Sequence, residues 1–137
     1  MPSLLAPADF EAVFEAMPCL CLVLDPALRI VAQNQAHARA TMTRREETLG
    51  KFLFEAFPDN PNDSAADGVS VLRQSLLNVL KTRSPDVISN FQFDISPPEG
   101  GRYVPRRWRV VNTPILDRDG FVRLIVNQVD DLTPAPG

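Results

Sequence analysis

An α+β domain, built as one five-stranded antiparallel sheet with helices over one face and a flanking helix at the N-terminus, is the architecture this sequence predicts. Three observations predict it. Strand-like segments occur as a pair from Cys19 and as a set of three from Val87, with helical periodicity between them. The chain closes on a hairpin, RRWRVVNTPILDRDGFVRLIVNQVDDLT, whose turn Asp117-Arg118-Asp119-Gly120 ends in a glycine able to take positive φ. The 137 residues are 45% apolar and 23% charged, which suits one globular domain with a real core. Two strands, then helices, then three strands pack most simply as one sheet with helices on one side.

Each element has a local cause. Pro7-Ala8-Asp9 starts a helix in which Phe10, Val13, Phe14 and Met17 recur at helical spacing, and Pro18 ends it. Its acidic residues Asp9, Glu11 and Glu15 lie where the helix dipole favours them. The apolar stripe is suited to this domain's own sheet or to a second copy. CLCLVLD, from Cys19 to Asp25, is an apolar strand; Asp25-Pro26-Ala27-Leu28 turns the chain, and Arg29 to Ala32 is a second strand. Asn34 is an N-cap for a short helix through Met42. Thr43 and Glu46 have capping-box spacing. Phe52, Phe54 and Phe57 cluster before Pro58, and residues 58 to 67 read as a loop. A longer helix begins near Asp63 or Ser64 and ends near Thr82, with Val69, Leu72, Leu76, Val79 and Leu80 on its buried face. Val87 to Ile95 is a third strand, with Phe91, Phe93 and Ile95 on one face. Pro97-Pro98-Glu99-Gly100-Gly101 is its turn, Tyr103 to Ile115 the fourth strand, and Phe121 to Asp130 the fifth. The domain spans residues 9–133, after a tail of residues 1–8. Pro134-Ala135-Pro136-Gly137 reads as a linker or the cut end of a longer protein.

Composition excludes several functions. A net charge of −3 gives no electrostatic basis for nucleic acid or an anionic membrane. No apolar run is long enough to span a bilayer, and no basic segment precedes an apolar one at the N-terminus, so the expected location is cytoplasmic. Cys19 and Cys21, two apart on a strand, point the same way, are poorly placed to bridge each other, and read as two small buried thiols. With one histidine in the chain, no metal site is expected. Nothing resembles a nucleophile with its base or a phosphate-binding loop, so no catalytic residues are predicted. Asp117, Asp119, Asp130 and Asp131 sit in turns or at a strand end, and Arg102, Arg106, Arg107 and Arg109 read as a solvated strand rim.

Four words in order carry a family resemblance: LVLDPALRIVAQN, TRREETLGKFLFEAFP, RRWRVVNTPILDRDG and the closing Asp131-Leu132-Thr133. Together, over roughly residues 10 to 133, they resemble PAS domains, the sensor modules found in bacterial sensor histidine kinases among other proteins. The resemblance implies the PAS fold and a role in signal transduction rather than an enzyme. It also orients the sheet, which alternation alone does not. It implies a ligand cavity lined by Leu20, Leu22, Leu24, Trp108, Val110, Asn112, Ile125, Asn127 and Val129 from the strands, with Phe54, Phe57, Leu72 and Leu76 from the helices. Cys19, Cys21, Val23, Arg107, Arg109, Val111, Leu124 and Val126 then fall on the outer face, which the first helix is placed to cover.

Asn112 and Asn127 would face apolar space, where an unpartnered amide costs on the order of 1–3 kcal/mol, so backbone, water, each other or a ligand has to satisfy them. The resemblance implies signal exit through Asp131 and Thr133 into a following helix. It further implies a homodimer through Phe10, Val13, Phe14 and Met17, and an output domain such as a histidine kinase. No cofactor is predicted, and the expected ligand is a small apolar or amide-contacting molecule. FLFEAFPDNP lacks the cysteine of the photoactive flavin type, and Val129 stands where that type has glutamine. The haem type uses a histidine on the long helix, whereas His37 lies on the earlier one and reads as a plain polar residue near the surface. Two alternatives remain: a ligand-free dimerisation or docking module and, ranked last, a small cone-shaped enzyme.

Overall fold

The computed structural model of the chain describes residues 3–97 and 100–134. Ten elements follow in order: α1 (Pro7–Ala16), β1 (Leu20–Leu24), β2 (Ile30–Gln33), α2 (Gln35–Ala40), α3 (Arg45–Thr48), α4 (Leu53–Ala56), α5 (Gly68–Thr82), β3 (Asp86–Gln92), β4 (Arg107–Leu116) and β5 (Val122–Asp131). The five strands form one sheet in the order β2-β1-β5-β4-β3, every neighbouring pair antiparallel. The predicted architecture is the one observed. Pro98 and Glu99 of the predicted turn, residues 1–2 of the expected tail and residues 135–137 of the expected linker lie outside the described residues.

Both hairpins are built the same way. Asp25 Oδ1 accepts from the N–H groups of Ala27 and Arg29, both at 2.9 Å. Asp117 Oδ1 accepts from Asp119 at 2.9 Å and Phe121 at 3.0 Å. In each turn the residue three after the aspartate takes positive φ: Leu28 at 67° and Gly120 at 83°. An aspartate that satisfies two turn amides fixes the reversal, and the left-handed residue lets the strands meet. The core lies between the sheet and α5, where Leu22, Leu24, Leu76, Val79, Val110 and Ile125 are almost wholly buried.

Four local expectations change. The box at Thr43 and Glu46 does not form. Arg44 takes the N-cap position of α3 without a side-chain bond, because the Thr43 hydroxyl is engaged by Gln33 Nε2 at 2.9 Å. The long helix begins at Gly68, since Asp63 instead closes a turn on the Ala65 N–H (3.0 Å). Asp59, from the preceding loop, accepts from Val69 N at 3.0 Å and serves the start of α5. At Gly68 the helix crosses the end of β3 so closely that an added Cβ would fall 2.7 Å from a Phe93 ring carbon.

β3 ends at Gln92, and β4 begins at Arg107, after Pro105, which has no N–H to give the ladder. Between them Ile95 and Val104 exchange two backbone hydrogen bonds of 2.8 and 2.7 Å as an isolated bridge. Finally, α1 buries no residue and packs along α2, with Glu15 paired to Arg45 of α3. Val23, Val111, Leu124 and Val126 on the outer face remain half-buried. Of the two thiols, Cys21 is buried and Cys19 half-buried, their Sγ atoms 3.4 Å apart.

Candidate functional site

A cavity lies between the inner face of the sheet and the helices that follow β2. It holds about 680 Å³ of space, including its open mouth. Its floor is Leu22, Trp108, Val110, Asn127 and Val129 from the sheet. Leu53, Ala56, Phe57 and Pro58 close one side, Leu72 of α5 and Phe91 another, and Phe93, Asp94, Ile95, Ser96 and Tyr103 edge it. His37, Thr41 and Thr43 complete the wall.

The structure thus places seven of the predicted cavity residues on this cavity: Leu22, Phe57, Leu72, Trp108, Val110, Asn127 and Val129. The other six lie elsewhere. Leu24, Leu76 and Ile125 are at 0% exposure within the packed core. Leu20 and Phe54 are half-buried against that core. Asn112 stands one strand behind Asn127, wholly buried.

His37 corrects the sequence reading. It is not near the surface but buried, with its Nδ1 2.9 Å from Gln33 Nε2 and its ring edge-on to Phe57 at 5.9 Å. Burial pulls its pKa from 6.5 down to about 4, because the cation would lose its hydration. The spacing held a clue: Asn34 caps α2 by accepting from His37 N at 3.0 Å, and His37, Ala38 and Thr41 share the inward side of that turn. Gln35 and Arg39 are exposed on the opposite side, so the short helix is amphipathic, with His37 on its inner face.

The tautomer follows from the partners. Thr48 Oγ1 lies 2.6 Å from Gln33 Oε1, a separation that suits O–H···O and is short for an amide donor. The Gln33 amide nitrogen therefore faces Thr43 and His37 and donates one hydrogen to each. His37 Nδ1 is then an acceptor, and the ring proton sits on Nε2.

A second chain of hydrogen bonds runs across the sheet. Asp86 accepts from Ser75 Oγ at 2.6 Å and from Asn78 Nδ2 at 2.9 Å. Ser75 Oγ has then given away its proton and accepts from Asn112 Nδ2 at 2.9 Å; Asn112 Oδ1 accepts from Asn127 Nδ2 at 2.7 Å. The carboxylate thus sets the direction of the whole chain, and the Asn127 carbonyl is its free end. Register aligns these groups. Gln33, Leu22, Asn127, Asn112 and Asp86 are successive cross-strand partners through all five strands. One polar row crosses the inner face, interrupted only by Leu22.

The two residues expected to carry the signal out are held at the sheet's end. Asp131 Oδ1 accepts from Thr133 N at 2.8 Å, and Thr133 Oγ1 accepts from Arg107 N at 2.9 Å. Leu132 N donates to Arg107 O at 2.8 Å, and Arg106 pairs with Asp131 at 3.5 Å. Thr133 therefore clamps the end of β5 to the start of β4, and no helix begins among the described residues after it. On α1, Phe10 and Val13 are exposed and Phe14 is half-buried, as is Met17 just after the helix.

A family model described as the PAS fold matches residues 14–135. Solved structures agree in fold. The PAS domain of an HTR-like protein from Haloarcula marismortui is 18% identical with a TM-score of 0.60, covering 91% of this chain and 96% of its own. The PAS domain of nitrogen regulation protein NR(II) from Vibrio parahaemolyticus is 16% identical with a TM-score of 0.60, covering 88% and 95%. VqmA of Vibrio cholera, solved as a ligand–DNA complex, is 20% identical with a TM-score of 0.66, covering 96% of this chain and 54% of its own. No curated protein matches the chain.

Proposed function

This chain belongs to the PAS family, and from that premise we propose that it senses a small molecule in the cavity and passes the change to an output domain through the end of β5. A sensory and signalling role is what the family performs. The observation that carries the ligand reading is the cavity itself: apolar walls, an open mouth and a few convergent polar atoms, the common make-up of a small-molecule site. The relay reading rests on the Asp131–Thr133–Arg107 clamp, which joins the two strands bearing Trp108, Val110, Asn127 and Val129 to the chain beyond. The dimer reading rests on Phe10 and Val13 of α1, large apolar side chains left 47% and 49% exposed. A histidine kinase is the output domain we favour.

Mass spectrometry of the native protein, compared with the denatured one, tests occupancy and dimerisation together. The expected spectrum is a dimer that carries extra mass lost on denaturation. A bare dimer would favour the docking module, and a bare monomer would remove both readings. For the relay, Asp131→Ala in the full-length protein is expected to uncouple output from signal while leaving the fold intact. Unchanged signal-dependent output would overturn it.

A further inference from the structure

The cavity's two polar ends define the chemistry of its occupant, an inference that rests on the ligand-sensing reading above. His37 and Asn127 are 4% and 3% exposed. Nε2 of His37 and Oδ1 of Asn127 each lack a protein partner among the described residues, yet no fully buried polar side-chain atom there is unpaired. Both atoms therefore reach open space, and the cavity that both residues line is that space. One is a donor, since Gln33 holds the proton on Nε2. The other is an acceptor, since the chain from Asp86 turns the Asn127 amide nitrogen towards Asn112. On the sheet, Leu22 lies directly between Gln33, the residue that holds His37 Nδ1, and Asn127. Two strand spacings set the Gln33 and Asn127 backbones about 10 Å apart, with Leu22 and the cavity it lines between them. Phe57, Phe91 and Trp108 supply flat apolar walls.

We propose that the occupant is a small uncharged aromatic amide seated over Leu22, its carbonyl accepting from His37 Nε2–H and its N–H donating to the Asn127 carbonyl. An open-chain secondary amide points its N–H and C=O in opposite directions, as donor and acceptor on opposite sides of Leu22 require. A carboxylate would lack the N–H and set its charge against the Asn127 oxygen. Among the described residues the one carboxylate on the cavity edge, Asp94, is already taken up by Asn60 Nδ2 and Gln92 Nε2, both at 3.0 Å, and calls for no cation.

Trp108 is the only tryptophan and lines the cavity, so its fluorescence reports binding. The probes are N-methylbenzamide, N,N-dimethylbenzamide, benzoate and ethylbenzene. N-Methylbenzamide is expected to saturate the signal. Removing its N–H in the dimethyl compound, or substituting Asn127→Leu or His37→Phe, is expected to weaken binding about tenfold, and benzoate to bind more weakly still. The dimethyl probe tests the Asn127 contact on the unaltered protein, whatever the variants do to folding. Equal binding of all four probes, with the two variants unchanged, would overturn the amide and leave ligand sensing standing. Failure of every probe, ethylbenzene included, would overturn both.

Discussion

Taking the protein from pH 7 to pH 5 is expected to remove about 2 kcal/mol of stability, and about 3 kcal/mol by pH 4. The cause is His37, whose ordinary pKa of 6.5 burial lowers to about 4. Between those values the unfolded chain binds a proton that the folded one refuses, so stability rises with pH through the window and falls as pH drops. The loss begins near pH 6.5 and ends once the folded protein also protonates, near pH 4. Burial alone drives the shift, and the two contacts the ring makes, with the Gln33 amide and with Phe57, carry no charge to soften it. His37 is also the only histidine, and carboxylates titrate mainly below pH 5, so the upper part of the window belongs to it. Urea unfolding at pH 7, 6 and 5 reads the effect directly. The native protein's midpoint falls steadily, while that of His37→Gln stays nearly level. A level curve for the native protein would mean that the imidazole is solvated.

His37 also marks where the sequence stopped being legible. The hairpins could be read because Asp25 and Asp117 carry their own turn chemistry, and Asn34 because an N-cap acts within three residues. One five-stranded antiparallel sheet with helices over one face followed from the element order and the family resemblance. What could not be read were facts of register and approach. That Gln33, Leu22, Asn127, Asn112 and Asp86 fall in one line needs four strand pairings at once. Thr43 is a plausible cap until Gln33, ten residues earlier, claims its hydroxyl. Leu24 and Ile125 have the right alternation for a cavity wall, yet α5 settles on the sheet there and its Leu76 fills the space they face. Alternation names the face of a strand and not the depth at which a helix settles on it.

The polar row predicts the second large effect: Asn112→Ala is expected to cost about 3 kcal/mol. Asn112 is wholly buried, and its loss strands Asn127 Nδ2 without an acceptor and leaves Ser75 Oγ with one bond instead of two. An unpaired buried donor accounts for about 1–3 kcal/mol, and the space left behind adds to it. If polar pairing sets this cost, replacing both ends together should relieve it. Asn112→Leu with Asn127→Leu is expected to lose less than the sum of the two single changes, because no amide is then left alone. If packing sets it, the two changes add. Urea unfolding of the two single variants and the pair separates these outcomes, and a loss under about 1 kcal/mol for Asn112→Ala would show the row to be hydrated. An apolar replacement that approaches neutrality would show that stability is not what holds two amides and a serine in line. What the row does in the structure is fix one amide orientation at the cavity and tie it to α5 and to β3 at Asp86, so that under the proposed function a ligand bound at Asn127 would pull on both.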